Sequence, residues 1–240
     1  MKFYRKSAIS LNRFLVFMQI LQTEGVILKV LDFRDYDQII TVFTSERGIV
    51  KWIYKRKSSS QSKLSPLVRA EFTYSESRGE IWKCREINIL NQYLKLRENF
   101  SWLETAGRLI QSILLSQVEQ KPAPNLYRLF LTYLEKIPLS TNLAALEISF
   151  IILLLKHEGL VNFDLHCTIC QRPLQSLYIY QGNHFCPHHA PVRSLEFNHE
   201  ETLAWMQIAA AKTFSELQSI FVPQNLREKA ENLFKIFIKQ

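Results

Sequence analysis

Apolar and polar positions alternate with a period of two from Gln19 to about Leu90, and with a helical period from Asn99 onward. In the first stretch Gly25–Leu31, Gln38–Thr44, Ile49–Tyr54, Leu67–Ser75 and Ile81–Leu90 read as strands. They are separated by a polar connection at Asp32–Asp37, a turn at Ser45–Gly48, a polar loop at Ser58–Lys63 and a turn at Ser77–Glu80. Five short strands in about 70 residues predict a small closed barrel. The helical stretch opens with Ser101 and Glu104 spaced as a capping box, and Trp102, Leu103, Ala106, Leu109, Ile110, Ile113 and Leu114 follow on one face. Pro122 and Pro124 break it. A second stripe runs from Leu126 to Ile137 and stops at Pro138. Leu143–Glu158 is apolar on most sides, which predicts the central helix of a bundle, with Gly159 placed to end it. Glu200–Lys212 and Asn225–Lys239 read as two closing helices.

The pattern divides the chain into an extension at 1–18, a barrel at 19–98 and a helical domain at 99–240, with a Cys/His segment at about 161–192. The expected class is α+β and multidomain. Apolar residues make up 47% of the 240, enough for a packed core. The longest apolar run, Phe150–Leu155, is far short of the roughly 20 residues a bilayer requires. Four cysteines are too few for a disulfide scaffold. Met1–Arg13 is basic and precedes the apolar Phe14–Met18, but no small-residue cleavage site follows. The extension therefore reads as disordered, or as the product of an upstream start codon, rather than as a targeting signal.

The net charge of +8 is unevenly placed. Residues 1–98 carry 18 Lys and Arg against 10 Asp and Glu; residues 99–240 carry 12 of each. Such a split indicates a basic binding module joined to a neutral body. From Arg47 to Ala70 there are seven positive charges and no acid. Lys51, Lys55, Arg56, Lys57 and Lys63 are the candidate nucleic-acid contacts, since cations neutralise phosphates and release counterions. Trp52 and Tyr54 lie among them. They could stack on bases, but alternation puts them on one strand face with Val50, which favours a place in the core.

Cys167-Thr-Ile-Cys170 is followed after 15 residues by Cys186-Pro-His-His189. Each knuckle supplies two soft or borderline ligands from one tight turn, and two knuckles complete a tetrahedron. The Leu177–Tyr180 alternation and a turn at Gly182-Asn183 suit a zinc-ribbon hairpin. One structural zinc is expected on Cys167, Cys170, Cys186 and His189, with His188, His166 and His184 as neighbouring alternatives for the fourth ligand. Four protein ligands leave no open position, so the site reads as a folding element. Cys84 reads as a small buried hydrophobe.

A basic barrel followed by a helical body interrupted by a Cys/His knuckle pair resembles the RecO family of bacterial recombination mediators. The resemblance is carried by Thr23–Lys29, Asp37–Ile49 and the Cys167–His189 cluster. It departs in the basic stretch after the third strand, Tyr54–Ser60, which lacks a glycine, and in the last zinc ligand, commonly Cys and here His. It implies an OB-fold barrel, a helical C-terminal domain with an embedded zinc finger, and a role in DNA repair and homologous recombination. The partners it implies are single-stranded DNA (with duplex DNA an open alternative), RecR, the C-terminal tail of the single-strand-binding protein SSB, and a functional link to RecA. It also implies strand annealing and a cytoplasmic, nucleoid-associated location. For the acidic, Phe-ended SSB tail the candidate cations are Arg108, Lys121 and Arg128, on or between the first two helices.

No Walker A loop, dinucleotide fingerprint or G-x-S-x-G elbow is present, and His157-Glu158 lacks the spacing of a zinc deaminase. The protein is therefore expected not to be an enzyme. The alternatives are a zinc-ribbon nucleic-acid-binding protein of transcription or translation, and a membrane-surface binder.

Overall fold

A computed structural model describes residues 20–34, 36–55, 64–77, 79–164 and 166–238. The expected extension at 1–18, the polar loop at 58–63 and the candidates Arg56, Lys57 and Lys63 lie outside the described residues. Strands β1 (Ile20–Phe33), β2 (Asp37–Thr44), β3 (Gly48–Lys55), β4 (Arg69–Ser75) and β5 (Ile81–Asn91) close into a barrel in the order β1-β2-β3-β5-β4. All neighbouring pairs are antiparallel except β3 and β5. This is the five-stranded OB arrangement, and it explains why β1 is 14 residues long. Its first half pairs with β4 and its second half with β2, with a bulge between Ile27 and Lys29 where it bends from one neighbour to the other. Period-two alternation sends Ile27, Ile40, Val42, Trp52, Phe72 and Tyr74 inward. Trp52 stacks on Tyr74 at 5.0 Å, and Tyr74 lies parallel to Trp82 at 5.6 Å. Trp52 and Tyr54 are thus buried core residues, and the base-stacking alternative for them is excluded.

The body comprises α1 (Phe100–Ser116), α2 (Pro124–Lys136), α3 (Leu143–His157), α4 (His199–Ala210), α5 (Phe214–Ser219) and α6 (Leu226–Ile238). α3 is the central helix: every residue from Ala145 to Ile152 is buried, as its all-round apolar sequence requires. It carries one buried acid, Glu147, which accepts a 2.6 Å hydrogen bond from Thr105 on α1 and lies 3.5 Å from Arg227 on α6. Burial raises its pKa, while Thr105, Arg227 and Arg108 offset part of that rise. The expected capping box at Ser101 is corrected. α1 begins two residues earlier, and Asn99 caps it by accepting from the backbone N–H groups of Ser101 (2.8 Å) and Trp102 (3.3 Å). A capping box does occur at α4, between Asn198 and Glu201.

The barrel has two apolar surfaces, and this joins it to the body. Val26, Leu28, Phe43, Ile49 and Leu67 belong not to the barrel interior but to one continuous core with the helices. Phe43 meets Tyr127 of α2 edge-on at 5.5 Å. The Tyr127 hydroxyl donates to Glu24 (2.8 Å), which also accepts both arms of Arg69 (2.9 and 3.1 Å). A second clasp forms where the 117–121 connection crosses β3: Gln120 N–H donates to the Ile49 carbonyl at 2.8 Å. Gly48, at φ +64°, touches it so closely that a Cβ would lie 2.0 Å from the Lys121 carbonyl oxygen, so any side chain there would separate barrel from body.

The Glu24 clasp gives a pH-dependent prediction. Burial pushes the Glu24 carboxyl up, but the Arg69 guanidinium and the Tyr127 hydroxyl together outweigh it and hold it below its ordinary value. A carboxyl depressed on folding contributes stability that is complete above its unfolded pKa of about 4.3 and is lost as pH falls through the folded value. Tyr127→Phe is expected to cost about 1 kcal/mol at neutral pH, and this cost should shrink as pH falls below the ordinary carboxylate range and Glu24 is protonated. Denaturant titrations of both proteins at pH 7 and pH 3.5 check it; a cost independent of pH would contradict the clasp.

Candidate metal centre and nucleic-acid interface

The Cys/His segment folds as two knuckles around a small sheet of β6 (Leu177–Tyr180), β7 (Asn183–Phe185) and β8 (Leu195–Phe197), in the order β7-β6-β8. The hairpin turn is Gln181-Gly182, one residue earlier than the sequence suggests, with φ of +47° and +78°. Gly182 is required there, because a Cβ would lie 2.4 Å from the Leu160 carbonyl oxygen. In the first knuckle Gln171 N–H returns to the Cys167 carbonyl at 2.9 Å; in the second His189 N–H returns to the Cys186 carbonyl at 3.0 Å. Leu177, Ile179 and Phe197 sink into the body's core, with Phe197 against Trp205 at 5.3 Å, so the finger is anchored to α4.

The ligand atoms of Cys167, Cys170, Cys186 and His189 all lie within 4.8 Å of one another and can hold a metal ion. Cys170 Sγ is 3.9 Å from Cys186 Sγ, and His189 Nδ1 is 3.3 Å from Cys186 Sγ and 3.6 Å from Cys167 Sγ. A zinc tetrahedron with bonds of about 2.3 Å to sulfur and 2.0 Å to nitrogen has edges of about 3.8 and 3.5 Å. The donor set therefore fits that ion in both chemistry and size. Burial pushes the Cys167 thiol up, but the backbone N–H groups of Cys170, Cys186 and Ile169 and the His189 ring prevail and bring it down to about 6, which favours the thiolate a metal needs. The alternatives for the fourth ligand separate by position. His188 is exposed. His184 is buried, its ring N–H donating to the Asp164 carbonyl at 2.6 Å, and His166 pairs with Asp164 at 3.0 Å.

The structure spreads the basic stretch over several tasks. Arg47 pairs with Glu76 at 3.0 Å, and Arg69 is held by Glu24. Lys51 lies on the outer barrel face between Thr41 and Ile81, and its ammonium bridges to the carboxylate of Glu119 from the 117–121 connection. Lys55 is exposed at the end of β3. Three exposed cations missed by the sequence reasoning share this outer face: Lys29 of β1, opposite Thr41, and Lys83 and Arg85 of β5. Their signal was present, since Lys83 and Arg85 alternate with the buried Trp82 and Cys84.

Arg108, Lys121 and Arg128 are not brought together. Arg108 lies half-buried on α1 facing α3 and α6, bonded to Glu231 at 2.6 Å and Glu104 at 2.9 Å, with Glu147 at 3.9 Å. Lys121 lies against Gly48 of the barrel. Arg128 is exposed on α2 and donates to Asn125 at 2.6 Å.

A closed five-stranded OB barrel fused to a helical body that carries a Cys3His cluster defines a modular two-part class of protein. Two family models divide the chain between them: Recombination protein O N terminal matches residues 18–93, and Recombination protein O C terminal matches residues 106–240. The chain belongs to the RecO family. DNA repair protein RecO of Chlamydia trachomatis serovar D is 30% identical over 223 residues, covering 90% of this chain and 91% of that protein. The Chlamydia pneumoniae protein of the same name is 31% identical over 90% of this chain and 88% of its own length. The Caldicellulosiruptor saccharolyticus protein of that name is 23% identical over 92% and 93%. No helix among the described residues is long and apolar enough to cross a membrane.

Proposed function

We propose that the protein is a non-enzymatic mediator of recombinational repair. It binds single-stranded DNA, engages the SSB tail, anneals complementary strands, and acts with RecR to load RecA at the nucleoid in the cytoplasm. The observation that carries this reading is the cationic outer barrel face, with Lys29, Lys51, Lys55, Lys83 and Arg85, on a chain of the RecO family. Lys51, Lys55, Arg56, Lys57 and Lys63 contact phosphates. Annealing needs no catalytic residue: a surface that neutralises two strands lowers their mutual repulsion, and base pairing does the rest. In the body, an apolar pocket takes the terminal ring of the SSB tail; of the candidate cations for its carboxylates, Arg128 is exposed on α2, while Lys121 stands apart against Gly48 and Arg108 would have to leave Glu231 and Glu104.

The metal is zinc, held by Cys167, Cys170, Cys186 and His189. It crosslinks two knuckles and supplies folding energy rather than chemistry, because all four positions are protein ligands.

Tighter binding to oligo-dT than to structured RNA, with no nucleotide hydrolysis, is the expected outcome of a competition and turnover assay. A preference for structured RNA would instead favour a zinc-ribbon protein of transcription or translation.

A further inference from the structure

An open groove of about 510 Å³ lies against the Cys/His cluster. Cys170, Cys186 and His189 line it, and Cys167 does not. Cys170 and Cys186 are half-buried, whereas Cys167 is fully buried in the body's core. The groove therefore gives a small solute access to two of the three sulfurs of the cluster. Those two belong to different knuckles, and their Sγ atoms stand 3.9 Å apart. Arg172 is exposed in the groove wall, and no carboxylate lines it.

We propose that this pair is a modification site for hydroperoxides, at which the finger exchanges its metal for a reversible Cys170–Cys186 disulfide. The inference rests on the zinc assignment made above. With hydrogen peroxide, the first thiolate attacks one oxygen: an S–O bond forms, the O–O bond breaks, and hydroxide departs beside Arg172. The second thiolate then attacks the sulfur of that sulfenic acid and expels a second hydroxide. Two electrons pass from the two sulfurs to the peroxide, and both hydroxides take protons from solvent. The sulfurs must approach by about 2 Å to reach a bond of about 2.05 Å. Their neighbours Ile169 and Pro187 are exposed, so no packed side chain opposes that movement. Once the pair is oxidised, Cys167 and His189 alone are too few to hold the ion. The new bond takes over as the tie between the knuckles, so Leu177, Ile179 and Phe197 keep their places in the core. A thiol reductant restores the site. Cys84 takes no part, because it is buried in the barrel interior.

The test exposes the full-length, zinc-loaded protein to hydrogen peroxide in the presence of a chromogenic zinc chelator. The product is alkylated and digested with chymotrypsin, which cuts between the knuckles at Tyr178, Tyr180 and Phe185. Zinc release is expected to rise in step with a Cys170–Cys186 crosslink, with Cys84 still a free thiol and the circular dichroism melt still cooperative. Dithiothreitol with added zinc should restore the starting stoichiometry. Cys170→His keeps four ligands but removes one partner of the disulfide, and should release zinc roughly tenfold more slowly than the parent. If Cys170→His holds no zinc, the crosslink map of the parent decides alone. Zinc that stays bound in a large molar excess of peroxide would overturn the proposal. So would a crosslink between Cys167 and Cys170 or between chains, release that reductant does not reverse, or a zinc-loaded Cys170→His that empties as fast as the parent. A parent that holds no zinc before peroxide is added would overturn the metal assignment as well, whereas zinc that is held and survives peroxide overturns the switch alone.

Discussion

Cys186→Ser is expected to strip the metal from the finger and lower the melting temperature by roughly 10 °C. Serine is a poor zinc ligand, and three remaining donors cannot hold both knuckles closed. Cys167 is fully buried in the same core as Leu177, Ile179, Phe197 and Trp205, so opening the knuckles exposes part of the body and not merely a surface loop. Loss of a structural metal belongs with the changes that cost more than about 4 kcal/mol. For a chain of this size each kcal/mol is worth about 2–4 °C. The internal control is Cys84→Ser. Cys84 lies in the barrel interior, its thiol pushed up to about 12 by burial, and has no part in the cluster. The parent and Cys84→Ser should each carry one zinc per chain by metal analysis in reducing, chelator-free buffer. Cys186→Ser should carry none and be cut by protease between residues 166 and 192. A parent stoichiometry near zero would contradict the metal assignment.

Reversing the charge of Lys55, Arg56, Lys57 and Lys63 to Glu, with Lys51→Gln, should weaken binding to single-stranded DNA about 1,000-fold at 0.1 M salt. Each phosphate neutralised on a single strand contributes about 0.7 to the slope of log affinity against log salt. Removing four such cations and the Glu119-paired Lys51 should therefore flatten that slope by about 3. Lys51 is neutralised rather than reversed because its ammonium bridges Glu119, and a glutamate there would set two carboxylates against each other. DNA must displace Glu119 to reach Lys51, so Lys51 contributes less than the other four. The weakening should be uniform across base sequences, as expected of cations that meet phosphates. A folded variant with an unchanged salt slope would place the interface elsewhere, on the cations of β1 and β5.

The barrel was legible because its strands alternate cleanly: the inward set from Ile27 to Cys84 is visible as every second residue. What alternation does not show is which outward residues are also buried. Phe43 and Ile49 face out of the barrel yet lie in the body's core, and only the docked helices reveal it. The Glu24–Arg69–Tyr127 clasp was hidden because Arg69 and Tyr127 stand 45 and 103 positions from Glu24 in sequence. α5 and β8 were missed for a different reason: six and three residues are too short to establish a period. The metal ligands were readable because knuckle spacing is local chemistry. Choosing His189 over its neighbour His188 rested on the offset from Cys186, which the turn geometry supports. Lys29, Lys83 and Arg85 escaped notice as single charges within strands, and they become a surface only when barrel closure brings β1, β2, β3 and β5 side by side. In the same way, Arg108 looked available on α1 until α6 folded Glu231 against it.

That this chain joins strands without catalysing a reaction on them is tested most directly by annealing. Complementary single strands, each saturated with the SSB of the same organism, are mixed and their pairing is followed by fluorescence energy transfer. The purified protein is expected to accelerate duplex formation on coated strands without added nucleotide. The five-residue charge variant is expected to lose this activity while remaining folded. Coated strands that anneal no faster with the protein than without it, or annealing that the charge variant supports as well as the parent, would contradict that role.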